Sequence, residues 1–164
     1  MIGQLDVKTA LLEELETAIV PATTAPVLIR DHFTKNTGVR ISTIFAEFKH
    51  RFFDKTEGPT AEVTYRKYKL LCISSDGPII AELGGARKIQ GTFTAAFALL
   101  QRQPKGEAGF FQTNGYGNIF YAKDENGELC AIRIGWTSDG WVFDAMSVAD
   151  PQAWHGEHLI FCPV

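Results

Sequence analysis

The sequence predicts an α+β domain: a curved antiparallel sheet, assembled from a hairpin in the N-terminal half and a C-terminal meander, with helices packed on one face. Three observations carry this. Phe93, Ala96, Phe97 and Leu100 recur at i, i+3, i+4 and i+7, the spacing of one helix face. The C-terminal third changes to a period of two, in short runs separated by Asp-Glu-Asn-Gly and Thr-Ser-Asp-Gly. Helical and extended patterns do not alternate regularly along the chain, so the crossovers of a parallel sheet are not expected.

The elements follow in chain order. Leu11, Leu12, Leu15, Ala18 and Ile19 lie at helical spacing opposite Glu13, Glu14 and Glu16, which predicts an amphipathic helix over 7–20 with Asp6 as N-cap and Pro21 as its end. Thr24 and Pro26 open a second short helix carrying Leu28, Ile29, His32 and Phe33, closed by Gly38. Ile41, Ile44, Phe45, Phe48 and Phe52 fit a helix over 39–54, although the Val39-Arg-Ile-Ser-Thr opening also suits a strand. After a loop at 55–60, residues 63–73 read as a strand, Ser74-Ser-Asp-Gly-Pro as a turn and Ile79–Leu83 as the returning strand of a hairpin, ended by Gly84 and Gly85. The helix at 93–100 takes Thr92 as N-cap and stops before Pro104. The meander places strands at 118–123, 128–136, 141–148 and about 158–162.

A chain of 164 residues lies in the size range of one domain, taken here as 1–164, and is long enough to bury a core without a staple. Its net charge of -3 argues against nucleic-acid binding through overall charge. The charge is uneven: residues 30–69 hold nine Lys or Arg against five Asp or Glu, and the rest of the chain holds seven against fourteen. Three cysteines without a CxxC spacing, no signal-peptide pattern at the N-terminus and no apolar run of membrane-spanning length lead to the expectation of a reduced, cytoplasmic protein with no membrane contact.

Candidate chemistry is sparse. His155-Gly-Glu-His158 with Cys162 is the densest set of ligand-type residues, but on one strand His158 and Cys162 would stand ~13 Å apart, too far to share an ion. No metal site and no cofactor are therefore expected. No Gly-x-Ser-x-Gly elbow is present, and Cys72 and Cys130 fall in apolar strand patterns where a thiol is inert filling.

Three surfaces stand out. The loop from Gly84 to Thr92 carries Arg87, Lys88 and Gly91 to a helix N-terminus at Thr92, where free amides and the helix dipole attract an anion. Lys49, Arg51, Arg66, Lys67 and Lys69 are interleaved with rings, as a single-stranded nucleic-acid surface requires, although the strand alternation divides the last three between two faces and an edge strand guarded by Lys accounts for them equally well. Trp154, Trp141 and Tyr116 crowd the meander and would form a contact surface if displayed, Trp154 being the one most expected at the surface. The leading expectation is a non-enzymatic binding or accessory protein acting through protein–protein contact, including self-association. A binder or enzyme of an anionic small ligand at the Gly84–Thr92 loop comes second, and nucleic-acid contact through segment 30–69 third.

Overall fold

A computed structural model of the protein describes residues 10–150 and 152–164. Strand β1 (Leu12–Val20) is followed by the two-residue β2 (Val27–Leu28) and one helical turn, α1 (Asp31–Thr34). Strand β3 (Ile41–Ile44) leads into helix α2 (Ala46–Phe52), and β4 (Thr56–Glu57) pairs back onto β2. Next come strand β5 (Val63–Leu70) and three helices, α3 (Asp76–Glu82), α4 (Ala86–Ile89) and α5 (Phe93–Leu100). Strands β6 (Asn118–Lys123), β7 (Leu129–Thr137), β8 (Gly140–Ser147) and β9 (Leu159–Pro163) complete the chain.

Seven of the strands form one sheet in the order β1-β5-β9-β6-β7-β8-β3. The α+β class stands, but the sheet is mixed and not purely antiparallel: β6 runs parallel to β9, and β3 parallel to β8. The reason lies in β9. It does not extend the meander beyond β8 but inserts between β5 and β6, which joins the N-terminal and C-terminal strands into one sheet.

Alternation along the central strands gives both faces apolar side chains. Phe120, Cys130, Ile132, Ile134 and Phe161 point to one face (face one), where α2 and α5 supply Phe48, Phe52, Phe93 and Phe97. Ile119, Tyr121, Ala131, Ile160 and Cys162 point to the other (face two), where Ile79 of α3, Ile89 of α4 and Trp154 cover them. The helices are thus shared between two faces, not gathered on one. A strand such as β6, buried along five of its six residues, cannot be served from one side.

Several local assignments change for tertiary reasons. Residues 12–20 pair as strand β1 with β5 instead of forming a helix, and Glu14 and Glu16 meet Arg66 at 3.9 Å and Lys67 at 2.6 Å across the pair. A long-range pairing of this kind overrides helix propensity, which is worth only tenths of a kcal/mol per residue. The start of that expected helix, Asp6 included, lies outside the described residues. Of the expected helix near 26–38 only the α1 turn forms, and 39–54 divides into β3 and α2 at Phe45. The expected hairpin at 63–83 is absent: Ser75 and Asp76 begin α3 instead, where Pro78 sits in the first turn and its missing N–H leaves no bond unmade. The helix at 93–100 and the three meander strands from 118 to 147 form where expected. Gly140 closes the β7–β8 turn with φ 131°, and a Cβ there would stand 2.8 Å from the Arg40 carbonyl.

Helix α5 is fixed at its N-terminus from within. Thr92 Oγ1 accepts from the Ala95 amide at 3.2 Å, as an N-cap should. Glu57, only 4% exposed, accepts from the Phe93 and Thr94 amides at 3.0 and 2.8 Å and from the Thr94 hydroxyl at 2.8 Å. Removing that carboxylate orphans three buried donors. Glu57→Ala is therefore expected to lower unfolding stability by about 3 kcal/mol in urea titration, against about 1 kcal/mol for Thr92→Ala. A larger loss for Thr92→Ala would show that Glu57 does not hold the helix.

Candidate functional site: the open half of face two

The helical cover of face two stops short. It spans β5, β9, β6 and the first residues of β7, and beyond it the side chains of β7, β8 and β3 stand open. Two features of the sequence shape what is left there. Gly135 contributes no side chain to β7, and a Cβ added to it would meet nothing within 4 Å. Strand register sets Val142 beside Gly135, with Thr43 next in the row, so the floor is low and partly apolar. A cavity of about 370 Å³ lies over this floor, walled by Phe45, Arg133, Thr137, Asp139 and Asp144. A second cavity, of about 350 Å³, is lined by Met146, Trp154, His155 and His158 and shares Arg133 and Asp144 with the first.

Arg133 stands at the junction. Its Nε is buried without a hydrogen-bond partner, and it forms no ion pair among the described residues. Such a donor is costly to leave unpaired, by about 1–3 kcal/mol. The side chain lies along Gly117: a Cβ on Gly117 would come within 2.9 Å of Arg133 Nε and 3.1 Å of His158 Cδ2. Asp144 is the cross-strand partner of Arg133 in the β7–β8 register, but its Oδ1 accepts from the Ala145 amide at 2.8 Å and it does not reach the guanidinium. His158 shares a hydrogen bond between its Nδ1 and the His155 carbonyl at 2.9 Å. Burial lowers its pKa and the charge of Arg133 adds to this, against the His155 carbonyl, which raises it. The neutral ring therefore donates from Nδ1 and keeps Nε2 as an acceptor.

The second cavity is held in place by Trp154 and Asp76. Trp154, expected at the surface, is 5% exposed and donates from its indole nitrogen to Asp76 Oδ1 at 2.7 Å, which also accepts from the Tyr121 hydroxyl at 2.6 Å. Asp76 Oδ2 is buried without a partner. Burial pushes the Asp76 carboxyl up, partly offset by Tyr121 and Trp154.

The residues singled out in the sequence come apart. The amides at the N-terminus of α5 belong to Glu57, so Thr92 presents no free anion site, and Gly91 packs against Tyr65, whose hydroxyl a Cβ would meet at 1.8 Å. Arg87 is exposed on α4. Lys88 joins Arg66 in a third cavity of about 370 Å³, but Glu14 and Glu82 line it as well, and the mixture favours no anion. Arg51 bonds Asp124 at 3.0 Å and Glu128 at 3.1 Å, Lys67 meets Glu16, and Lys69 meets Glu157 at 3.1 Å. Of that group Lys49 alone is exposed without a partner, and β5 is an interior strand, so among the described residues these cations form neither a basic stripe nor a Lys-guarded edge. Trp141 is fully buried and donates to the Gln103 carbonyl at 2.9 Å, whereas Tyr116 is 41% exposed and meets His158 edge-on. Cys72 is exposed beyond the end of β5 and not core filling.

Arg133, Gly135, Asp144 and His158 form the groove, and only His158 drew notice in the sequence. The signal was present: Arg133 and Asp144 each interrupt an apolar run, and a two-residue turn at Ser138-Asp139 sets them opposite one another. Among the described residues no group of three or more His, Cys, Asp or Glu side chains is placed to hold a metal ion, and no helix is long and apolar enough to cross a membrane. No protein family matches the chain, and no curated protein or solved structure matches it.

The Asp76 carboxyl has a consequence for pH. A folded-state pKa above the ordinary Asp value of ~3.9 means that the group favours folding below that pH and that this contribution is lost as pH rises through the folded-state value. The parent is therefore expected to lose stability relative to Asp76→Asn as pH is raised from about 4 towards 7 in urea titrations. A gap independent of pH over that range rules out a raised Asp76.

Proposed function

We propose that the protein is a binding protein, with no catalytic step of its own, that receives a small polar ligand in the groove over Gly135. One observation carries the reading: Arg133, with no ion-pair partner among the described residues, lines two cavities where they meet. A cavity of this volume, with an apolar floor and a few convergent polar groups, suits a small molecule. The state of the buried thiols supports binding over turnover. Burial, with the Asp124 carboxylate nearby, pushes Cys130 up to about 12, and burial raises Cys162, so neither is primed as a nucleophile. The three free cysteines fit a reducing compartment, and the cytoplasm is the location we favour. The sharing of one sheet by both core clusters supports a single domain.

A second reading, contact with a protein partner, is favoured by the rim. Phe45, 47% exposed, lines the first cavity, and Tyr116 stands over His158 beside the second. Exposed rings beside a groove are the usual anchors of such contacts.

Filling the groove tests the proposal. Gly135→Leu places a side chain in open space on a strand, so its stability should stay within about 1 kcal/mol of the parent. Ligand-observed NMR with a panel of small polar compounds is expected to find binders that lose at least tenfold in affinity on Gly135→Leu, with the melting temperature little changed. If every binder holds equally to both proteins, the groove is not the site.

A further inference from the structure

Arg133 and Asp144 carry opposite charges at one register position on neighbouring strands, where side chains ordinarily meet. They do not. Each is held away from the other, Arg133 along Gly117 beside His158 and Asp144 on the Ala145 amide, and both line both cavities. The space between them is bounded by a cation on one side and an anion on the other.

The charges nearby narrow what can enter. A simple anion drawn to Arg133 would face Asp144 and Asp139, and a simple cation drawn to Asp144 would face Arg133. A group that carries an ammonium and a carboxylate on one carbon satisfies both walls and brings no net charge into a half-enclosed site, where unpaired charge is costly. Above Gly135 the floor continues with Val142 and Phe45, which offers an apolar side chain somewhere to lie. Resting on the groove reading above, we infer that the ligand is a free α-amino acid with an apolar side chain. Its carboxylate meets the Arg133 guanidinium, its ammonium meets Asp144, and its side chain lies over Gly135.

Isothermal titration with leucine, phenylalanine, N-acetyl-leucine and leucinamide tests this, on the parent and on Arg133→Gln, Asp144→Asn and Gly135→Leu, each first checked for an unchanged melting temperature. Leucine or phenylalanine is expected to bind the parent at least tenfold more tightly than N-acetyl-leucine, which lacks the ammonium, and than leucinamide, which lacks the carboxylate. Asp144→Asn should narrow the first gap and Arg133→Gln the second, because each removes the wall that reads the missing charge. N-acetyl-leucine binding as tightly as leucine overturns the inference in favour of a plain anion site. Should no amino acid bind while another compound is lost on Gly135→Leu, the inference falls and the groove stands; if nothing binds at Gly135, both fall.

Discussion

Apolar side chains leave both faces of β6, β7 and β9, and the rest of the molecule is arranged by the need to keep water from both. Face one is covered by the phenylalanines of α2 and α5 and by Phe110 and Phe111 of the segment after α5, with Phe33 touching Phe48, Phe93, Phe97 and Phe143 at ring separations of 5.0–5.9 Å. Face two has less to cover it: two short helices and the segment carrying Trp154. They are placed over the strands whose second face is most apolar. Where β7 and β8 turn Arg133, Gly135 and Asp144 outward, little apolar surface demands a cover, and the groove is what remains.

Buried polar groups hold these covers in register. Glu57 ties the β2–β4 ribbon to the first turn of α5, and Asp76 ties the start of α3 to Tyr121 of the sheet and to Trp154. A third anchor lies at the β6–β7 turn. There burial pushes Asp124 up, but the amides of Glu128 and Asn126 and the guanidinium of Arg51 outweigh it and hold the carboxyl below the ordinary Asp range. Each anchor joins segments far apart in sequence, and each accepts from several donors, which offsets the cost of burying it. The exceptions are Asp76 Oδ2 and Arg133 Nε. The first lies buried at the start of α3 and makes stability depend on pH. The second belongs to a side chain that lines two cavities.

Most residues of binding type elsewhere are engaged within the fold. Apart from Lys49, the cations of segment 30–69 that looked available in the sequence meet carboxylates contributed by β1, by the β6–β7 turn and by Glu157. The tryptophans of the meander are needed for packing and for buried donors. What distinguishes Arg133 is the absence of such a partner at a place where solvent space begins.

Local pattern settled the elements whose contacts are near in sequence. The Phe93–Leu100 helix with its Thr92 cap, and the two hairpins joining β6, β7 and β8, needed only periodicity and turn chemistry, because their hydrogen bonds close over a few residues. The α+β class followed from them. Tertiary structure alone decided the rest. The segment 12–20 has the spacing of a helix and becomes a strand because β5 offers it an edge; Ile79 to Glu82 has the composition of a strand and becomes a helix because face two needs covering beside Asp76. The placement of β9 between β5 and β6, and with it the mixed sheet, depends on pairings across roughly a hundred residues that no local signal encodes. The open groove is of the same kind: Arg133 and Asp144 were visible as charges in apolar strands, but whether they would pair, be covered or stand apart depended on how far the cover of face two reached.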